Sequence, residues 1–269
     1  MVPLNDQTAE SKFVLANGIN IHYREYGSGH PLIMLHGGTA NLQSYAEQIP
    51  LFSEHFRVFA LDSRGHGLTV NTTDTLSYPM MADDVIAFAK ALHLERPAIF
   101  GYSDGGQIAL DLGIRFPNFS RGLCLGGTLY QFTPEYFEML RSWGFTPTNV
   151  DMNKMDADWA EYLQTAHPQY ANSEQVGKFM NQIAALWFTP LNYTDDDLRG
   201  MQSPCLIWLG DREMGLPVEQ AVTMYHLIPK AELCIIPNAT HGSFFAPYAL
   251  GPVVEFFKRH LHGTPQDSS

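Results

Sequence analysis

Cysteine is scarce, with Cys124, Cys205 and Cys234 the only three among 269 residues. An odd number, two of them inside apolar runs, excludes a disulfide scaffold and predicts buried, reduced thiols in a reducing compartment, the cytoplasm. Long apolar runs are missing as well. Nothing approaches the roughly eighteen apolar residues of a membrane span, and the polar start has no apolar core of signal-peptide length. Positive charge is in deficit, 16 Lys and Arg against 28 Asp and Glu, a formal net charge of −12. With no basic run, nucleic acid and anionic membrane surfaces are poor partners. There is no GxGxxG, Walker loop, zinc-ligand spacing or paired-cysteine motif, so no metal and no cofactor is expected. The partner that remains is a small neutral or apolar molecule. Oligomeric state is not legible.

What is present is an alternation of short apolar runs with helical patterns. Phe13 to Leu15 and Ile19 to Arg24 flank Asn17-Gly18, a strong hairpin signal. Leu32–Leu35, Val58–Leu61, Ala98–Phe100, Leu123–Leu125, Leu206–Leu209 and Leu233–Ile236 suit parallel strands buried on both faces. Helical faces lie between them: Met81, Val85, Phe88, Ala89 and Leu92; Val218, Val222 and Tyr225; and Val253, Phe256, Phe257 and Leu261 after Pro252. The pattern predicts an α/β fold, a mostly parallel sheet flanked by helices with an antiparallel edge from the two leading strands. The polar ends, 1–11 and 263–269, are expected to be loose.

From about Leu129 to Met201 the rhythm breaks. No buried-strand run occurs there, and aromatic helical segments appear around Tyr136 to Trp143, Trp159 to Tyr162 and Phe179 to Phe188. The organisation expected is a core of residues 1–128 and 202–269 with a helical lid, 129–201, inserted after the sixth strand. Any one of these aromatics is more simply packing than a ligand contact, but a lid of this composition would present some of them to an apolar or aromatic substrate.

The most informative stretch is Gly101-Tyr102-Ser103-Asp104-Gly105, where a buried-strand pattern gives way to a helical one. A sharp strand-to-helix turn forces its central residue into strained geometry, and only glycines let the chain pass close enough to hold the serine hydroxyl out. With His36-Gly37-Gly38 after the third strand, Asp62-Ser63-Arg64-Gly65-His66-Gly67 after the fourth, and His241 after the last, the chain resembles the α/β-hydrolase family over nearly its whole length. The resemblance implies an eight-stranded α/β-hydrolase fold with Ser103 as nucleophile. His241 would be the base, and the N–H groups of Gly38 and Asp104 the oxyanion donors. His36 and His66 would be structural, and His260 and His262 fall on a terminal helix. The side chain of Asp104 is given no chemistry, and Trp187 and Trp208 read as packing.

The third member of the triad departs from the family pattern, which is Gly, two residues, Asp, three residues, Pro. Here the segment is Gly210-Asp211-Arg212-Glu213-Met214-Gly215-Leu216-Pro217. Spacing selects Glu213; residue type selects Asp211, two positions early. Glu213 is the expected acid, because position on the loop fixes direction, with Asp211 as the alternative. A serine at position 103 separates the chain from epoxide hydrolases and haloalkane dehalogenases, which use an aspartate there. The expected activity is hydrolysis of a carboxylic ester or lactone through an acyl-enzyme, as in enol-lactone hydrolases, carboxylesterases and cofactor-free haloperoxidase-like esterases. Carbon–carbon bond hydrolysis or lysis by the same triad, and a non-enzymatic ligand receptor on this fold, remain alternatives.

Overall fold

The alternation of apolar runs is realised in a computed structural model that describes residues 9–154, 157–170, 172–242 and 246–261. Most of the ends expected to be loose (1–8 and 263–269), and His262, lie outside the described residues. The strands are β1 (Lys12–Ala16), β2 (Ile19–Tyr26), β3 (Pro31–Leu35), β4 (Arg57–Leu61), β5 (Ala98–Tyr102), β6 (Leu123–Gly126), β7 (Phe145–Thr146), β8 (Asn149–Val150), β9 (Cys205–Gly210) and β10 (Ala231–Ile236). Eight of them form one sheet in the order β1-β2-β4-β3-β5-β6-β9-β10, and β7 and β8 pair separately. The hairpin β1–β2 turns at Asn17 and Gly18, whose φ values of 48° and 76° are those a two-residue hairpin requires. It supplies the antiparallel edge, since β2 pairs antiparallel with β4 while β3, β4, β5, β6, β9 and β10 run parallel.

The parallel strands are apolar throughout because both faces are covered. Leu32, Ile33, Met34, Ile99 and Leu123 are fully buried, each contributing roughly 1.5–3 kcal/mol relative to exposure. The helices are α1 (Ile49–Ser53), α2 (Tyr78–Ala91), α3 (Asp104–Arg115), α4 (Pro134–Ser142), α5 (Ala157–Ala166), α6 (Ser173–Phe188), α7 (Asp195–Arg199), α8 (Val218–Leu227) and α9 (Pro247–Leu261). Ser77 caps α2 by accepting from the Met80 N–H, and Met81, Val85, Phe88 and Ala89 form its buried face. Helix α9 begins before Pro252, which stands inside it rather than at its start. The proline removes one backbone bond, to the carbonyl of Tyr248, near the start of the helix and on an exposed residue.

The segment between β6 and β9 adds no strand to the main sheet and holds α4 to α7 with the small hairpin. Its aromatic residues are mostly packed on one another: Phe132 stacks on Tyr136, Phe137 on Phe188, and Phe145 tilts against Trp187. Cys124, Cys205 and Cys234 are free thiols.

Parallel strands bring their C-terminal ends to one edge of the sheet. Leu35 pairs with Gly101, Tyr102 with Gly126, Gly126 with Trp208 and Ile236 with Gly210. The loops after β3, β5, β6, β9 and β10 therefore converge, and they carry Gly37–Gly38, Ser103, Gly127, Glu213 and His241.

Candidate active site

Ser103 joins β5 to α3 with φ 54° and ψ −118°, in the half of backbone space that non-glycine residues avoid. Its N–H is tied to the Gly126 carbonyl at 2.7 Å. The flanking glycines are required by contact: a Cβ on Gly101 would meet the carbonyl of Gly105, and one on Gly105 the carbonyl of Leu35. The turn thus presses the start of α3 against the ends of β3 and β5 and leaves the hydroxyl at the sheet edge.

His241 Nε2 lies 3.0 Å from Ser103 Oγ, and its Nδ1 lies 2.6 Å from Glu213 Oε2. A carboxylate only accepts, so Nδ1 carries the proton and Nε2 offers its lone pair to the serine hydroxyl. The Glu213 side chain is fully buried, and its other oxygen accepts the Gly210 N–H at 2.8 Å. Gly127, at φ 55°, makes room: a Cβ there would stand 3.0 Å from His241 Cε1 and 3.2 Å from Glu213 Oε2. Asp211 lies elsewhere, its carboxylate 3.7 Å from Arg212 Nε and its N–H on the Ile236 carbonyl. The structure therefore brings together Ser103, His241 and Glu213, and it does not bring Asp211 to the imidazole. The Tyr102 hydroxyl, which sequence reasoning passed over, donates to the His241 carbonyl, and its ring lies against the imidazole.

The loop after β3 lies on the serine. A Cβ on Gly37 would stand 3.2 Å from Ser103 Cβ, and one on Gly38 would stand 2.7 Å from Trp187 Cζ2 and also overlap the Asp104 carboxylate. His36 holds this loop: its Nε2 accepts the Ser63 N–H at 3.0 Å, so Nδ1 carries the proton and donates to the Gly37 carbonyl at 2.7 Å. In a trans peptide the N–H points opposite to the carbonyl, so fixing the Gly37 oxygen on one side directs the Gly38 N–H to the other. The Asp104 N–H, first in α3, has no partner within its helix. Thr39, next in the loop, sits at φ 60°, which for an L-residue costs roughly 1–2 kcal/mol and persists only where neighbours enforce it. Its N–H donates to His66 Nε2 at 3.3 Å, and its carbonyl accepts from His167 Nε2 at 2.9 Å. Burial lowers the pKa of His36 and of His66, and brings that of His167 down to about 4. All three are neutral and serve as fixed bridges between backbone groups.

The carboxyl of Asp104 is buried beneath this loop. Tyr78 Oη donates to it at 3.0 Å, and Trp187 Nε1 lies 2.9 and 3.0 Å from its two oxygens. Burial pushes its pKa up to about 6, against the lowering effect of Trp187 and Tyr78. The two donors come from α2 and α6, 26 and 83 residues away in sequence. Among the described residues no group of His, Cys, Asp and Glu has the makings of a metal site, and no helix is long and apolar enough to cross a membrane.

A family model described as alpha/beta hydrolase fold matches residues 30–247. The 2-hydroxy-6-oxo-2,4-heptadienoate hydrolase of Pseudomonas putida is 27% identical over 251 residues, 86% of this chain and 89% of that protein. A meta-cleavage product hydrolase from Pseudomonas fluorescens superposes with a TM-score of 0.77 at 23% identity, covering 92% of this chain and 97% of that one. The enol-lactonase from Burkholderia xenovorans superposes with a TM-score of 0.70 at 21% identity, covering 92% and 100%. At these identities the likeness to solved structures shows the fold.

Proposed function

The chain belongs to the alpha/beta hydrolase fold family, and from that premise we propose that it is a serine hydrolase cleaving a carboxylic ester or lactone of a small, largely apolar substrate. One observation carries the reading: the unbroken relay from Glu213 Oε2 through both nitrogens of His241 to Ser103 Oγ, at 2.6 and 3.0 Å. Ser103 Oγ attacks the carbonyl carbon as its proton passes to His241 Nε2, and Glu213 stabilises the imidazolium that forms. The oxyanion falls to the N–H groups of Asp104 and Gly38, each such donor being worth roughly 10²–10³ in rate. Collapse expels the alkoxide, which takes the proton from His241. A water deprotonated by His241 then attacks the acyl carbon, and the acid leaves as Ser103 regains its proton. Residues 129–201 serve in this reading as the lid that excludes bulk water.

A second reading is carbon–carbon bond hydrolysis by the same residues, which the dienoate hydrolase of Pseudomonas putida supports. The relay is common to both readings, and the substrate separates them. The test is a panel of p-nitrophenyl esters and lactones of graded chain length beside a β-diketone and a dienoate, each with the Ser103→Ala control. Ester or lactone turnover lost in Ser103→Ala supports the proposal; turnover of the β-diketone or dienoate alone replaces it with the second reading.

A further inference from the structure

His167 comes from the segment between β6 and β9, directly after α5, and its ring is fully buried against the core. Its Nδ1 lies 2.9 Å from the Gly67 N–H, in the turn after β4, and must accept there. That fixes the tautomer: Nε2 carries the proton and donates to the Thr39 carbonyl at 2.9 Å. The neighbours of His167 grip the same two loops. The Ala166 carbonyl accepts from Asn41 Nδ2, and the Gly65 carbonyl accepts from Gln169 Nε2 and Tyr170 Oη. Phe179 of α6 closes over the imidazole at 4.9 Å between ring centres.

We propose that His167 is a positioning residue that holds the oxyanion loop through Thr39, so that the Gly38 N–H is aimed at the reacting carbonyl only while the 129–201 segment is seated on the core. The proposal rests on the reading of Ser103 as nucleophile. Its physical root is the left-handed backbone of Thr39, a β-branched residue that would relax to negative φ if released. His66 holds the N–H of that residue and His167 its carbonyl. Freeing the carbonyl lets the Thr39–Ala40 peptide turn and withdraws the Ala40 N–H, which donates to the Gly37 carbonyl at 3.2 Å; that carbonyl, held also by His36, shares its peptide with the Gly38 N–H. The oxyanion donor is therefore built from core backbone but held in place by an inserted side chain.

The two nitrogens of His167 can be separated by substitution. Asn places an acceptor near Nδ1 and nothing near Nε2, so His167→Asn keeps the Gly67 bond and loses Thr39. Gln reaches as far as Nε2, so His167→Gln keeps a donor for Thr39 and loses Gly67. On an ester turned over by the wild type, His167→Asn is expected to lower kcat about 100-fold with KM within threefold, the loss of one oxyanion donor. A tetrahedral mimic such as a trifluoromethyl ketone should weaken in parallel, while His167→Gln stays within about fivefold of wild-type kcat. Equal kcat in His167→Asn and wild type, or a rise in KM alone, overturns the proposal. If His167→Asn does not fold, His167→Gln decides alone: near-wild-type kcat supports the proposal, and a 100-fold loss overturns it. A wild type that neither turns over esters nor labels at Ser103 overturns the underlying reading, and this proposal with it.

Discussion

Asp104→Asn tests the electrostatics beside Ser103. In the folded chain the carboxyl is buried among Tyr78, Trp187 and Gly38 with its pKa at about 6, against an ordinary 3.8. Its folded pKa is raised, so the stability it contributes is full below about pH 3.8 and is lost as pH rises through about 6. Each pH unit between the two values is about 1.4 kcal/mol, so the ionised carboxylate costs the folded state roughly 3 kcal/mol at pH 8. Asparagine does not ionise and escapes that cost. Its amide leaves a buried donor to satisfy, a penalty of roughly 1–3 kcal/mol that is the same at every pH. The informative quantity is therefore the change with pH. Chemical denaturation of both proteins from pH 4.5 to 8 should show the variant gaining roughly 2 kcal/mol on the wild type across the range, or about 4 °C in relative melting temperature, since about 1 kcal/mol is already lost by pH 4.5. A stability difference flat to within about 1 kcal/mol over that range would refute the placement of an ionisable carboxyl in this site.

Two other substitutions probe the same region. Trp187→Phe removes the indole donor from the Asp104 carboxyl and should cost roughly 1.5–3 kcal/mol at pH 8 and less at pH 4.5, read by the same denaturation series. Gly105→Ala drives a Cβ into the Leu35 carbonyl, rigid backbone on both sides, and should yield little soluble protein or a loss of several kcal/mol; a wild-type melting temperature would contradict the close packing of the turn.

Much of the site was legible because its chemistry is written locally. The Gly-x-Ser-x-Gly turn reports its own steric requirement, the apolar runs report two-sided burial, and Asn17-Gly18 reports a hairpin that needs two positive φ values. Spacing selects Glu213 over Asp211, and Glu213 is the carboxylate that lies against His241 Nδ1, whereas Asp211 lies beside Arg212. What stayed hidden depends on contacts between distant segments. No local pattern links Trp187 to Asp104, 83 residues away, or His167 to Thr39, 128 residues away. Strands β7 and β8, two residues each, are too short for a period-2 signal. A histidine following a helix reads as surface until its partners are seen. In sequence Asp104 offers only its N–H, because its carboxyl gains meaning only when α2 and α6 close over it.

The relay itself is tested most directly by the rate at which a fluorophosphonate labels Ser103, located by peptide mass, in the wild type, Glu213→Gln and Asp211→Asn. The account predicts a single adduct on Ser103, formed at the wild-type rate in Asp211→Asn and slowed by up to roughly 10⁴-fold in Glu213→Gln, as when the orienting carboxylate of a Ser–His–acid triad is neutralised. Labelling slowed in Asp211→Asn but not in Glu213→Gln, or an adduct elsewhere than Ser103, would contradict it.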